Sequence, residues 1–101
     1  MFGSPIPEIT VAQLPDDAYI IDVREPDEWA AGHAPDALTL PMSQIAARVG
    51  EVPRDRTVYV MCAVGGRSAQ VVDWLNGQGF DSVNVAGGIQ AWAMLGRPVV
   101  S

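Results

Sequence analysis

Cys62 is the one cysteine of the chain, and the residues after it, Ala63-Val64-Gly65-Gly66-Arg67-Ser68, suit a sulfur nucleophile. The thiolate, not the thiol, attacks, so such a residue needs surroundings that favour negative charge. Adjacent glycines let the backbone curl until successive N–H groups point at one anion. Arg67 adds the only full charge of the loop. A free cysteine is often no more than a small buried hydrophobe. The Gly-Gly-Arg turn at a helix start favours the reactive reading here.

The elements that must position this loop are legible on both sides of it. Thr57-Val58-Tyr59-Val60-Met61 is an apolar, β-branched run that predicts a buried strand. Val71, Val72 and Leu75 have helical spacing, predicting a helix from about Arg67 to Asn76 that ends at Gly77-Gln78-Gly79. Cys62 thus falls where strand gives way to helix, and the helix N-terminus adds partial positive charge.

Elsewhere the chain alternates in the same way. Residues 1–5 predict a flexible N-terminal lead-in, and residues 6–101 a single domain. Ile9 begins a short edge strand, and Thr10 caps one helical turn ended by Pro15. Tyr19–Val23 predicts a strand buried on both faces, as in a parallel sheet. Arg24–Gly32 predicts a short helix with Pro26 in its first turn and Gly32 as its stop. Ala37–Leu40 predicts a further strand, and Ser43 caps a helix running to about Val49. Ser82–Val85 predicts a last strand, and Gly87-Gly88 opens a last helix, Ile89 to about Leu95. Alternating strands and helices with short connections imply three layers around a mainly parallel sheet.

Ligands in such a sheet collect beyond the C-terminal ends of strands. Asp22 and Arg24, Cys62, and Ala86-Gly87-Gly88 all lie at such ends, so they are expected around one mouth. Asp22 is read as a buried acceptor holding loop N–H groups or an arginine, because a carboxylate beside a thiolate would raise the thiol pKa. Arg24 is read as a partner of Asp22 or of Glu28, four residues on. His33 sits in a Gly-His-Ala-Pro turn, where a fixed hydrogen bond outweighs a role as general base. Trp29, Trp74 and Trp92 lie on predicted helices among apolar neighbours and are expected in the core. Gly87-Gly88 reads as a tight turn before it reads as an anion nest.

The 101 residues suit one domain, with 49% hydrophobic and 18% charged residues. Six arginines, no lysine and twelve acids give a net charge of −6, which argues against nucleic acid and suits a small anionic substrate at a local positive loop. No apolar run approaches the roughly 18 residues of a membrane span, and no signal peptide is visible. One cysteine allows no internal disulfide and no thiolate zinc cluster, so no metal is expected and a cytoplasmic location follows. A monomer is expected.

Three groups of residues, in order, resemble the single-domain rhodaneses. Asp22-Val23-Arg24-Glu25, Glu28-Trp29 and Gly32–Ala37 resemble the early motif of that superfamily. Cys62 to Ser68 resembles its active-site loop. Gly79-Phe80, Val83-Asn84-Val85, Gly87–Trp92 and Gly96–Val99 resemble its closing motif, so the likeness runs from about Ile6 to the end. It implies a three-layer α/β/α rhodanese-like domain with a mainly parallel, roughly five-stranded sheet. It also implies a sulfurtransferase that carries sulfane sulfur as a Cys62 persulfide. The donor would be a small anion such as thiosulfate, and the acceptor an external thiol or cyanide. Ala63, Val64, Gly65, Gly66, Arg67 and Ser68 would bind substrate, Asp22 and Arg24 would support, and no cofactor is implied. The loop from Cys62 to Arg67 is one residue shorter than in phosphatase and arsenate-reducing relatives, which implies sulfur rather than phosphate. Those activities, and a non-catalytic interaction module, are the alternatives.

Overall fold

In a computed structural model, residues 6–101 form five strands, three α-helices and short 3₁₀ turns. The lead-in expected over residues 1–5 lies outside the described residues. The strands are β1 (Glu8–Thr10), β2 (Tyr19–Asp22), β3 (Leu38–Thr39), β4 (Val58–Met61) and β5 (Ser82–Ala86). They make one sheet in the order β1-β5-β4-β2-β3, every pair parallel. The helices are α1 (Pro26–Ala31), α2 (Gly66–Gly77) and α3 (Gly88–Met94).

Side chains alternate across a pleated strand, and the central strands use both directions. Val58, Val60 and Cys62 on the β4 line, with Ile21 and Val23 beside them, face Val71, Val72 and Leu75 of α2. Met61, Ile20 and Val85 face the opposite way, against Val11, Leu14 and Trp92. The register aligns Asp22 with Met61, so the ends of β2 and β4 lie level and Cys62 leaves the sheet beside Val23 and Arg24. The Val23 N–H donates to the Met61 carbonyl at 3.0 Å and extends that pairing past the strands.

The helix expected from Ser43 does not form. A 3₁₀ turn covers Met42–Gln44 and another Val49–Glu51. Tertiary bonds take the groups a helix start would use. The Met42 N–H donates to the Val23 carbonyl at 2.8 Å, and the Ser43 hydroxyl donates to Glu25 Oε1 at 2.9 Å. The segment still buries Ile45 and Val52 in the α2-side core, which outweighs its modest helical preference.

Of the three tryptophans only Trp92 is core. Trp74 is exposed on α2, and Trp29 stacks face to face on His33, centroids 3.6 Å apart. Apolar neighbours marked Trp74 as buried, but α2 covers the sheet with Val71, Val72 and Leu75 instead.

Candidate active site

The loop between β4 and α2 turns sharply at Gly65, whose φ of 119° is open to glycine and strained for other residues. That turn brings the Gly65 N–H to within 3.1 Å of Cys62 Sγ. The Ser68 hydroxyl, in the first turn of α2, lies 3.3 Å from the same sulfur. Cys62 is buried and free. Burial pushes its thiol up, but hydrogen bonds from the Ser68 hydroxyl and from the N–H groups of Ser68, Gly65 and Val64 outweigh it. The net displacement is downward, toward thiolate.

A second layer holds this cradle. Asn84, buried on β5, accepts the Ser68 hydroxyl at Oδ1 (2.6 Å). Its Nδ2 donates to the Gly65 carbonyl at 3.2 Å and to Glu8 Oε2 at 2.8 Å. The Ser68 hydroxyl therefore has one hydrogen and two acceptors, the sulfur and the amide. From the other side, α3 meets the loop backbone to backbone. The N–H groups of Gly87, Ile89 and Gln90 donate to the carbonyls of Val64, Cys62 and Ala63 at 3.1, 2.9 and 3.2 Å. Gly87-Gly88 is thus a tight turn whose following amides are spent on the loop. At Gly88 (φ 51°) a Cβ would overlap the Cys62 carbonyl oxygen and press on Ala63.

Two arginines flank the cradle, and both are engaged. Arg24, 5% exposed, binds the fully buried Asp22 through Nη2 at 2.8 Å and donates to the Gly32 and Glu28 carbonyls at 2.7 and 3.2 Å. Asp22 also accepts the Arg24 N–H at 3.0 Å. The Glu28 carboxylate does not go to Arg24. It takes both terminal nitrogens of Arg67, at 2.7 and 2.9 Å, as a bidentate pair. That pairing holds the Glu28 carboxyl down at about 2 and pushes the Arg67 guanidinium up.

The residues singled out from sequence fall around one end of the sheet, as strand-end topology requires. His33 faces elsewhere: Nδ1 lies 2.8 Å from the Trp29 carbonyl, the fixed bond expected of it. Asn84 and Glu28 were not legible as site residues, nor was the pairing of Glu28 with Arg67. A polar residue between Val83 and Val85 in an apolar strand was the available signal for Asn84. For Glu28, its i,i+4 spacing from Arg24 pointed to the wrong partner. Among the described residues no cluster of His, Cys, Asp and Glu could hold a metal ion.

Residues 8–95 match the family of the Rhodanese-like domain. The chain is 46% identical to a sulfurtransferase of Allochromatium vinosum over 87 residues, 85% of this chain and 81% of that protein. It is 38% identical to a putative sulfurtransferase of Bacillus subtilis over 93 residues, 86% of this chain and 90% of the other. The fold matches the crystal structure of a rhodanese-related protein from Thermoplasma volcanium with a TM-score of 0.87 and 36% identity, covering 93% of this chain and 97% of that one.

Proposed function

The chain belongs to the rhodanese-like family, and from that premise we propose that it is a sulfurtransferase whose Cys62 carries sulfane sulfur as a persulfide. The observation that carries the reading is the cradle itself: a buried sulfur receiving a backbone N–H at 3.1 Å and lying 3.3 Å from a hydroxyl at a helix start. The relatives named as sulfurtransferases support the reaction class.

The Cys62 thiolate attacks the outer sulfur of a donor such as thiosulfate. The bond from that sulfur to the sulfonate breaks, and its electron pair leaves as sulfite. Charge is conserved, because the thiolate and the dianion become a persulfide anion and a sulfite dianion. The N–H groups lining the loop from Ala63 to Ser68 stabilise the terminal sulfur as charge moves onto it. Arg67 forms the charged wall of the loop, and Asp22 and Arg24 hold the strand end behind it. Cys62 has no second cysteine to resolve it, so an external acceptor takes the sulfur. Cyanide leaves as thiocyanate; a thiolate leaves as a new persulfide. A monomer acting in a reducing, cytoplasmic setting fits a chemistry that needs a free thiol.

Intact mass spectrometry tests this directly. Thiosulfate should add one sulfur atom, cyanide should remove it, and Cys62→Ser should take up none. Uptake by the serine variant would refute the assignment.

A further inference from the structure

The loop's one cation is not free. Arg67 gives both terminal nitrogens to the Glu28 carboxylate, so the charged wall beside Cys62 is a pair of zero net charge. No other guanidinium replaces it among the described residues. Arg24 is spent on Asp22, Arg48 on Glu51, and Arg54, Arg56 and Arg97 lie over the rings of Phe80, Tyr19 and Trp92. The rim offers no charge either, since Val64 stands 59% exposed there. Around this neutral mouth the chain as a whole carries −6. An approaching donor also meets the negative charge of the nucleophile. A dianion is penalised twice as heavily as a monoanion, with no uncompensated positive charge to offset it.

We propose that Glu28 is a specificity-determining residue: by neutralising Arg67 it turns the loop against dianionic sulfur donors and toward donors of a single negative charge. This rests on the sulfurtransferase reading above. The class favoured is that of thiosulfonates and organic persulfides, which present the same transferable sulfur with one charge fewer. With methanethiosulfonate the Cys62 sulfur bonds to the outer sulfur, the bond to the sulfonyl sulfur breaks, and its electron pair leaves as methanesulfinate. Two monoanions yield two monoanions.

The test compares kcat/KM for methanethiosulfonate and thiosulfate, with cyanide as acceptor. The wild-type chain should favour the monoanion. Glu28→Gln keeps an oxygen for the Glu25 N–H that Glu28 accepts at 3.1 Å but leaves Arg67 uncompensated. It should raise thiosulfate about tenfold more than methanethiosulfonate, the differential expected of one charge acting on one extra charge at a partly exposed site. In an Arg67→Met background the same substitution should shift the ratio far less. An unchanged ratio in Glu28→Gln, or an undiminished shift without Arg67, would overturn the proposal. A second measurement needs no variant: added salt should narrow the wild-type preference, because screening relieves the dianion more. Widening with salt would show that Arg67 already attracts dianions and would also overturn it. If neither donor places sulfur on Cys62, the sulfurtransferase reading itself falls.

Discussion

Cys62 sits under two opposing influences, and the hydrogen bonds decide between them. Burial favours the neutral thiol, while one hydroxyl and several amides favour the anion. The hydroxyl of Ser68 is the foremost hydrogen-bond donor in that balance, and the Arg67 guanidinium adds to it. The hydroxyl hydrogen is shared with Asn84, whose orientation is held by Glu8 and the Gly65 carbonyl. Ser68→Ala should therefore move the pH profile of alkylation by iodoacetamide to higher pH. It should slow alkylation at neutral pH by roughly tenfold, the worth of one modest bond to a charged group. Far-ultraviolet circular dichroism should stay unchanged. A profile displaced to lower pH would mean that Ser68 opposes the thiolate.

At the scale of elements, the loop is held between two helix starts. Val64, Gly65 and the first turn of α2 supply the amides that face the sulfur, and Gly87 with the first turn of α3 supplies the amides that bind the loop's carbonyls. Backbone groups do this work, so one added methyl group at the contact disrupts it. Gly88→Ala places a Cβ against the Cys62 carbonyl and Ala63, and forces alanine to a positive φ. Overpacking against backbone with that strain should cost about 2–4 kcal/mol, read from urea denaturation. Sulfur loading should drop as the loop is pushed away from α3. A variant with unaltered stability and loading would show that α3 is free to shift.

At the scale of the whole molecule, Glu28 of α1 and Arg67 of α2 link elements 39 residues apart in the chain. The Glu28 carboxyl is depressed to about 2 in the folded state, below its value in an unfolded chain. Its contribution to stability is therefore present above the unfolded carboxylate pKa and is lost as pH falls toward about 2. Both side chains are about a third exposed, so screening limits the contribution to under about 1 kcal/mol. Wild type and Glu28→Gln should differ in Tm by a few degrees at neutral pH and converge in acid. A gap that widens on acidification would contradict the pairing.

Local patterns carried most of the architecture because strand burial and helical spacing are written into neighbouring residues. The apolar runs at Tyr19–Val23 and Thr57–Met61 mark parallel strands, and their ends place Asp22, Arg24 and Cys62 on one edge of the sheet. The glycines after Cys62 announce a tight turn without any knowledge of the fold. What the chain alone left open are choices between partners distant in sequence. Whether Glu28 serves Arg24 or Arg67 depends on how α1 lies against α2, and spacing favoured the nearer arginine. The hydroxyl of Ser43 could cap a helix or reach Glu25, and the packing of Met42 against the end of β2 decided it. Asn84 reads as one polar residue in a strand until β1, β5 and the loop close around it. Short-range periodicity sets which face each residue turns, whereas the pairing of charges and hydrogen-bond donors is settled only when separate elements meet.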